Sequence, residues 1–576
     1  MPSQRLAPLV AFASVLSLGA CATVPEATAP VTVRIVGFND FHGNLEPVRR
    51  PVSLEDGKGG RTEVFAGGAA WFAGTMAKLR AQNPYSMAIG AGDLVSASPL
   101  ASSLFLDEPT VGVMNRAKVD FTSVGNHEFD RGWQELKRLR EGGCEKFTVR
   151  QPCAVEPEYA GSDYPMLAAN VRMPDGSTLF PGYGLKRFGS GRSAVAVGVI
   201  GLTLKGTAQI VDPAGIAGIT FEDEADSINA LVPKAIADGA DAVVVAIHQG
   251  LVPEPGAGFN GCSAIAGDLR PILDRLDPRV DLVISGHTHR SYVCDFSTVD
   301  PSRRFTVTSA GAFGTMLTDI ALTVDPRLSD VTAVTARNVP VQSAGPDAGE
   351  GRSVNPAFDT ALPDPEVAAY VARYVAAAAE VSNRPVGRVS ATATRERPES
   401  PLGNLIADSQ LAATRAAGAQ AAFMNPGGVR TDLVAREGGM VTFGDLYAVQ
   451  PFGNTLVTMT LTGAQLLQAL EQQFVSPAEV NVLAVSENVA ITLDPAKPAG
   501  SRVLAITIDG KPVVADASYR VTVNNFIAGG GDGFAALKQG TEVTVGPLDL
   551  DALEAYLRAR DIVPVPPTGR VTIVGR

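Results

Sequence analysis

Gly125-Asn126-His127-Glu128-Phe129-Asp130 puts a carboxamide, an imidazole and a carboxylate on one turn, directly after the short apolar run Phe121 to Val124. Working outward, the same arrangement recurs. Asn39-Asp40-Phe41-His42 follows Val31 to Phe38, Gly92-Asp93 follows Met87 to Ala91, His248-Gln249-Gly250 follows Ala242 to Ile247, and Gly286-His287-Thr288-His289 follows Asp281 to Ser285. Helical patterns at Ala69 to Arg80, Arg131 to Arg140 and Ala225 to Ala237 separate these β-like runs. Alternation of this kind predicts an α/β layered sheet. Polar blocks after successive strands predict a site gathered at their carboxyl ends.

The donors suit a pair of divalent cations. Carboxylates, imidazoles and a carboxamide are present and thiolates are absent, which fits zinc, manganese, iron or cobalt better than a soft-metal cluster. Asp40 and His42 are one residue apart, so on an extended segment both face one side, and His287 and His289 repeat the spacing. Glycines beside Asp93, Asn126, His248 and His287 are expected to turn the backbone where ligands converge. A lone Asp-x-His is weak evidence. Five blocks in order, using all five histidines of the chain, point to a metal centre.

Composition sets the frame. A chain of 576 residues, 45% hydrophobic and 19% charged, has room for more than one domain. Its net charge of −12 argues against a nucleic-acid partner held by a broad basic surface, so an anionic substrate needs a local positive centre. Residues 1–20 read as a signal peptide: Arg5, an apolar stretch from Leu6 to Leu18, then Leu18-Gly19-Ala20-Cys21 in the form of a lipobox. Cys21 would carry the lipid and the only membrane attachment, and Ala22 after it favours an outer-membrane destination. Ordinary cleavage near Ala22 or Ala27 is the alternative, and both readings export the chain. No later apolar run approaches the roughly 18 residues a spanning helix needs. The other cysteines, Cys144, Cys153, Cys262 and Cys294, are even in number. Proximity pairs Cys144 with Cys153 and Cys262 with Cys294, although three pairings are open.

Residues 340–383 form a linker and a connecting helix. The first part is rich in glycine, proline and acidic residues, and Pro365 to about Val381 is helical, with Tyr370 and Tyr374 four apart. This helix either joins two rigid bodies or opens the second. Residues 384–576 are long enough for a core of their own. Their notable stretches are Pro401-Leu402-Gly403-Asn404-Leu405, Asn425-Pro426-Gly427-Gly428-Val429-Arg430, Pro451-Phe452-Gly453-Asn454 and Asn525-Phe526 through Asp532-Gly533-Phe534. Singly, these are turns and core aromatics.

Together, Asn39-Asp40-Phe41-His42-Gly43-Asn44-Leu45-Glu46, Gly92-Asp93, Gly125 to Asp130, His248 and Gly286 to His289 make the chain resemble the bifunctional calcineurin-like metallophosphoesterase and 5'-nucleotidase family. The resemblance implies a calcineurin-like β-sandwich flanked by helices over residues 31–339, and an α/β 5'-nucleotidase substrate-binding domain over residues 384–576. It implies that Asp40, His42 and His289 hold one divalent metal, Asn126, His248 and His287 the other, and Asp93 bridges both. Some relatives carry glutamine or asparagine where His289 stands. His127 would lie outside the metal shell with Asp130 as its partner, stabilising the transition state and protonating the leaving oxygen. The alternative for His127 is to orient Asn126. In the second domain the resemblance implies a nucleobase sandwiched by Phe452 and Phe526, base or ribose bonded by Asn454 and Asp532, and phosphate or sugar held by Asn425 and Arg430. Arg395 and Arg397 are one residue out of register with the family's further arginines.

Two cations would lower the pKa of a shared water towards about 7, supplying hydroxide for in-line attack on phosphorus. The expected activity is therefore an exported 5'-nucleotidase acting on nucleoside 5'-monophosphates, with nucleoside diphosphates and UDP-sugars as further candidates. The alternatives are a 2',3'-cyclic phosphodiesterase with 3'-nucleotidase activity, a sulfur-ester hydrolase, which the paired phenylalanines disfavour, and a nucleotide-binding scavenging lipoprotein.

Overall fold

Strands Val31–Phe38, Ser86–Ala91, Phe121–Ser123 and Met166–Leu167 run parallel and side by side. Antiparallel strands Met316–Asp325 and Asp330–Pro340 extend them to a six-stranded sheet. The computed structural model describes residues 29–48, 51–55, 59–148, 150–211, 213–254, 256–262, 266–343, 353–474 and 480–574. The signal peptide, Cys21 and most of the glycine-rich linker lie outside the described residues.

A second six-stranded sheet places Thr306–Ala310, Leu282–Ser285, Ala242–His248 and Val195–Thr203 in parallel, with Ser291–Asp295 and Tyr183–Phe188 at its edges. The two sheets pack face to face. Alternate residues Val33, Ile35, Met87 and Ile89 of one meet Val197, Val199, Val244, Ala246, Leu282 and Ile284 of the other in one core. Helices Ala69–Arg80 and Glu108–Arg116 cover the outer face of the first sheet, and Glu224–Ala237 covers that of the second. Covering both faces explains why every residue of Ala242–His248 is buried.

The connecting helix spans Pro365–Ser382, capped by Asp364, whose side chain accepts from Val367 N. It packs into the first domain's core through Val367, Tyr370, Val371, Tyr374 and Ala378. Arg116 lies 3.7 Å over the Tyr370 ring, and a Cβ at Gly112 would fall 2.0 Å from the Tyr370 hydroxyl. The helix therefore packs on the first domain.

The second domain has a five-stranded sheet, ordered Ala484–Val485, Ala421–Met424, Ser518–Asn524, Thr455–Thr462 and Thr541–Leu548, and a four-stranded one. Strand Met440–Thr442 leads straight into helix Phe443–Val449, which Thr442 and Asp445 start with a capping box. Cys144–Cys153 and Cys262–Cys294 are both disulfides. Among the described residues no helix is long and apolar enough to cross a membrane.

Candidate active site

Five turns at the carboxyl ends of central strands from both sheets bring the predicted ligands together. The conformation of these turns corrects the sequence-based expectation. Asp40, His42, His287 and His289 are not on extended segments: their φ angles are 49°, 47°, 70° and 56°, and that of Asp93 is 51°. The ligands themselves adopt the left-handed backbone that the neighbouring glycines were expected to supply. Of those glycines, Gly92 has positive φ, 80°. Gly125 serves close approach, since a Cβ there would lie 2.2 Å from Asp93 Oδ1.

The side chains form two groups with the composition of metal sites, Asp40 with His42 and His289, and Asp93 with His248 and His287. His42 Nδ1 faces the Ser96 carbonyl at 3.0 Å and His248 Nδ1 the Ala91 carbonyl at 2.7 Å. A carbonyl only accepts, so in the neutral rings Nδ1 carries the proton and Nε2 is a lone pair. These lone pairs meet other acceptors. His248 Nε2 is 2.9 Å from Asp93 Oδ2 and has no hydrogen-bond partner. His42 Nε2 is 3.2 Å from His289 Nε2, which is 3.2 Å from Asp40 Oδ1. Asn126 Oδ1 lies 3.0 Å from His287 Nδ1. The buried His248 Nε2 and Asp93 Oδ2 are acceptors aimed at one another and repel unless a cation stands between them, and with imidazole, carboxylate and carboxamide groups converging around them the donor set fits two divalent ions.

The electrostatics agree. Burial works against ionising Asp40, but His289 and His248 bring its pKa down to about 2, and Asp93 is held well below the carboxylate range by His248 and His127 despite its burial. Burial would depress His248, yet Asp93 and Asp40 lift it to about 10. Positive charge is thus favoured at His248 Nε2, and a bound metal ion supplies it as a proton would. His287 falls to about 3, through burial and then His248.

His127 Nδ1 is 2.8 Å from Asp130 Oδ2, and its backbone N–H donates to Asp93 Oδ1 at 2.9 Å. Burial opposes its charging, but Asp130 and Asp93 raise its pKa above the ordinary value. Two neighbours went unnoticed in the sequence. Glu128 Oε2 accepts from the backbone N–H of Asp93 at 3.0 Å and of Gly125 at 2.7 Å, while Oε1 accepts from Leu94 N at 2.8 Å. One carboxylate thereby staples two ligand-bearing turns. Asn39 donates to Asp40 Oδ2 and to the Gly311 carbonyl, each at 2.7 Å, and accepts from Ala310 N. Both residues sit inside the quoted motifs, but nothing in their spacing shows these bonds.

From the second domain, Arg430 brings Nη2 to 3.3 Å from His42 Nε2, and Phe452 stacks on His127 with centroids 5.6 Å apart and planes 20° apart. Asn425 Nδ2 donates to Asp532 Oδ2 at 2.7 Å and its Oδ1 accepts from Asn524 Nδ2 at 2.8 Å. The Asn454 backbone carbonyl accepts from Asp549 N at 2.8 Å. Phe526 packs beside Gly531, where a Cβ would lie 2.5 Å from its ring, and among the described residues it makes no ring contact with Phe452. Arg395 Nη1 donates to the Arg430 carbonyl, and Arg397 reaches Asn481 Oδ1 at 3.4 Å.

Residues 33–291 match the model for calcineurin-like phosphoesterases and residues 375–539 that for the 5'-nucleotidase C-terminal domain. The chain is 24% identical over 590 residues to a 5'-nucleotidase of Vibrio vulnificus, covering 98% of each. It is 28% identical over 559 residues to Endonuclease YhcR of Bacillus subtilis, covering 96% of this chain and 42% of that protein, so it spans less than half of that relative. The crystal structure of a 5'-nucleotidase precursor from Thermus thermophilus superposes with a TM-score of 0.75 at 27% identity, covering 95% of this chain and all of that one.

Proposed function

Because the chain belongs to the calcineurin-like phosphoesterases with a 5'-nucleotidase C-terminal domain, a family of metal-dependent phosphoester hydrolases, we propose that it is an exported 5'-nucleotidase releasing phosphate from nucleoside 5'-monophosphates. The observation that carries this reading is Arg430: the second domain's guanidinium stands 3.3 Å from a metal-ligand candidate of the first. A substrate phosphate bound beside this pair would meet metal charge from one domain and the guanidinium from the other.

Asp40, His42 and His289 would hold one divalent ion and Asn126, His248 and His287 the other, with Asp93 shared. Bound there, zinc, manganese, cobalt or iron supplies Lewis-acid charge and activates water. Arg430 and Asn425 take the phosphate or sugar end. His127 Nδ1–H donates to Asp130, which orients the ring and favours a second proton on Nε2. That proton passes to the leaving 5' oxygen, and His127 becomes neutral. Phe452 and Phe526 offer ring faces to the base, while Asn454 and Asp532 give up their internal partners to base or ribose.

The two disulfides support export to the periplasm or envelope, and the lipobox supports an outer-membrane lipid anchor at Cys21. The test is phosphate release from adenosine 5'-monophosphate, adenosine 3'-monophosphate, 2',3'-cyclic adenosine monophosphate and a UDP-sugar after chelation and re-addition of each metal. Release restored by metal and led by the 5'-monophosphate is the expected result. A lead for the cyclic or 3' ester moves the protein to the phosphodiesterase reading, and binding without turnover removes the enzyme reading.

A further inference from the structure

The His127–Asp130 pair is connected to the second domain by a route separate from the substrate-facing residues. Arg131 follows Asp130, and its guanidinium is held on two sides. Within its own domain Nη1 donates to Asp107 and to Ser96 Oγ at 3.1 Å. The buried Asp107 carboxylate also accepts from Ser96 N and Ser102 Oγ. On the other side Nη2 donates to Ser103 Oγ at 2.8 Å. The same Ser103 hydroxyl lies 2.8 Å from the hydroxyl of Tyr447, which comes from the second domain's helix Phe443–Val449 and is only 6% exposed. Arg150, inside the loop closed by Cys144–Cys153, donates to the Tyr447 hydroxyl at 2.8 Å and to the Ser103 carbonyl at 2.7 Å. Leu100, on the same short helix as Ser103, is buried in the second domain's core cluster.

Between two guanidinium donors stand two hydroxyls with one proton each, so each hydroxyl must accept from an arginine while they share a bond with each other. Removing the Tyr447 oxygen takes one acceptor from Arg150 Nη2 and one partner from the buried Ser103 hydroxyl, leaving Ser103 Oγ held by Arg131 Nη2 alone. Ser96 extends the connection, because its carbonyl is the partner of His42 Nδ1.

We propose that Tyr447 is a positioning residue: when the domains are together, its hydroxyl fixes Ser103 and Arg131, and with Arg131 the turn that carries Asp130 and His127. Assembly of the two domains is thereby sensed by the proton donor as well as by the substrate. The inference rests on the phosphohydrolase reading above.

Tyr447→Phe removes the hydroxyl and keeps the ring. Turnover is measured on adenosine 5'-monophosphate and on p-nitrophenyl phosphate, which has no nucleoside. On both esters kcat should fall about tenfold, with KM and bound metal unchanged. Ser103→Ala should lose the same, and the double variant no more than either single one. In a His127→Ala background, Tyr447→Phe should have no further effect. Unchanged kcat, losses that multiply in the double variant, or an equal loss without His127 overturns the proposal. If Tyr447→Phe does not fold, Ser103→Ala with and without His127 makes the same decision. Failure of the functional reading is distinct, since the wild-type protein would then hydrolyse neither ester.

Discussion

The two halves of the site are built on opposite terms. In the first domain the ligand side chains are committed in advance: five of them sit in left-handed backbone, a conformation costing about 1–3 kcal/mol each, and their acceptor atoms point at one another. In the second domain several residues expected to hold the nucleotide are already engaged, Asn425 by Asp532 and Asn524, Asn454 through its backbone carbonyl by Asp549 N, and Phe452 by the face of His127, while Arg430 Nε is buried without a hydrogen-bond partner. The first half is incomplete without a cation. The second can close on itself and must exchange partners to take substrate. Chemistry is preorganised and recognition is adaptable, so substitutions in the two halves should fail differently.

The largest effect belongs to the half with no alternative partner. Asp93→Asn removes the charge facing His248 and His42, and activity should fall at least about a thousandfold, equivalent to about 4 kcal/mol. Bound metal measured by elemental analysis should fall with it. Full metal content with near-normal turnover would show that the first half is not committed in this way. Next comes His127→Ala, which should retain both metals and KM while kcat drops about a hundred- to a thousandfold. Metal loss in that variant would make His127 an orienter of Asn126 and not a proton donor.

Phe452→Ala sharpens the contrast from the other side. Stacking a base on an aromatic face is worth about 1–3 kcal/mol, so the KM for adenosine 5'-monophosphate should rise about tenfold with metal content intact. Turnover of p-nitrophenyl phosphate should barely change. An equal loss on both esters would mean that Phe452 serves His127, on which it stacks, rather than the base.

The asymmetry also explains what the sequence could reveal. Strand runs ending in His, Asp and Asn blocks made an α/β layered sheet and the convergence of those side chains legible, because the carboxyl-end rule ties motif to place, whereas the second sheet came only with the family resemblance. The left-handed backbone of Asp40 or His289 was not legible: residue type does not announce it, and alternation suggested extended chain. Glu128 was visible within its hexapeptide, but its acceptance of N–H groups from Asp93 and Leu94 depends on two turns meeting in space. Phe452 was legible as a candidate platform, whereas its stacking on His127 follows from how two domains dock. The connecting helix had a clear period, yet only the fit of Tyr370 beside Gly112 assigns it to the first domain.

A pH slope in stability tests whether the second half's internal partners are real. Asp549 begins the helix Asp549–Arg558 and is 1% exposed. Burial raises its pKa from 3.8 to about 7, although the Leu550 N–H and the Asn454 amide pull it down. Between those two values the folded protein binds a proton that the unfolded chain does not. Stability should therefore fall as pH rises from about 4 to about 7 and level off above it. Asp549→Asn keeps an oxygen acceptor for the Leu550 N–H and removes the ionisation, so the slope should vanish, a difference of about 2–3 kcal/mol between pH 5 and pH 8. Hydrogen exchange at the amides of Asp549–Arg558 reads this locally, without interference from the first domain. If a nucleotide draws the Asn454 amide away, Asp549 loses a bond that favours its charged form and its pKa rises further, so binding near pH 7 should take up protons. An unchanged slope in Asp549→Asn would mean that another group titrates there, and nucleotide binding without proton uptake would leave the base to residues other than Asn454.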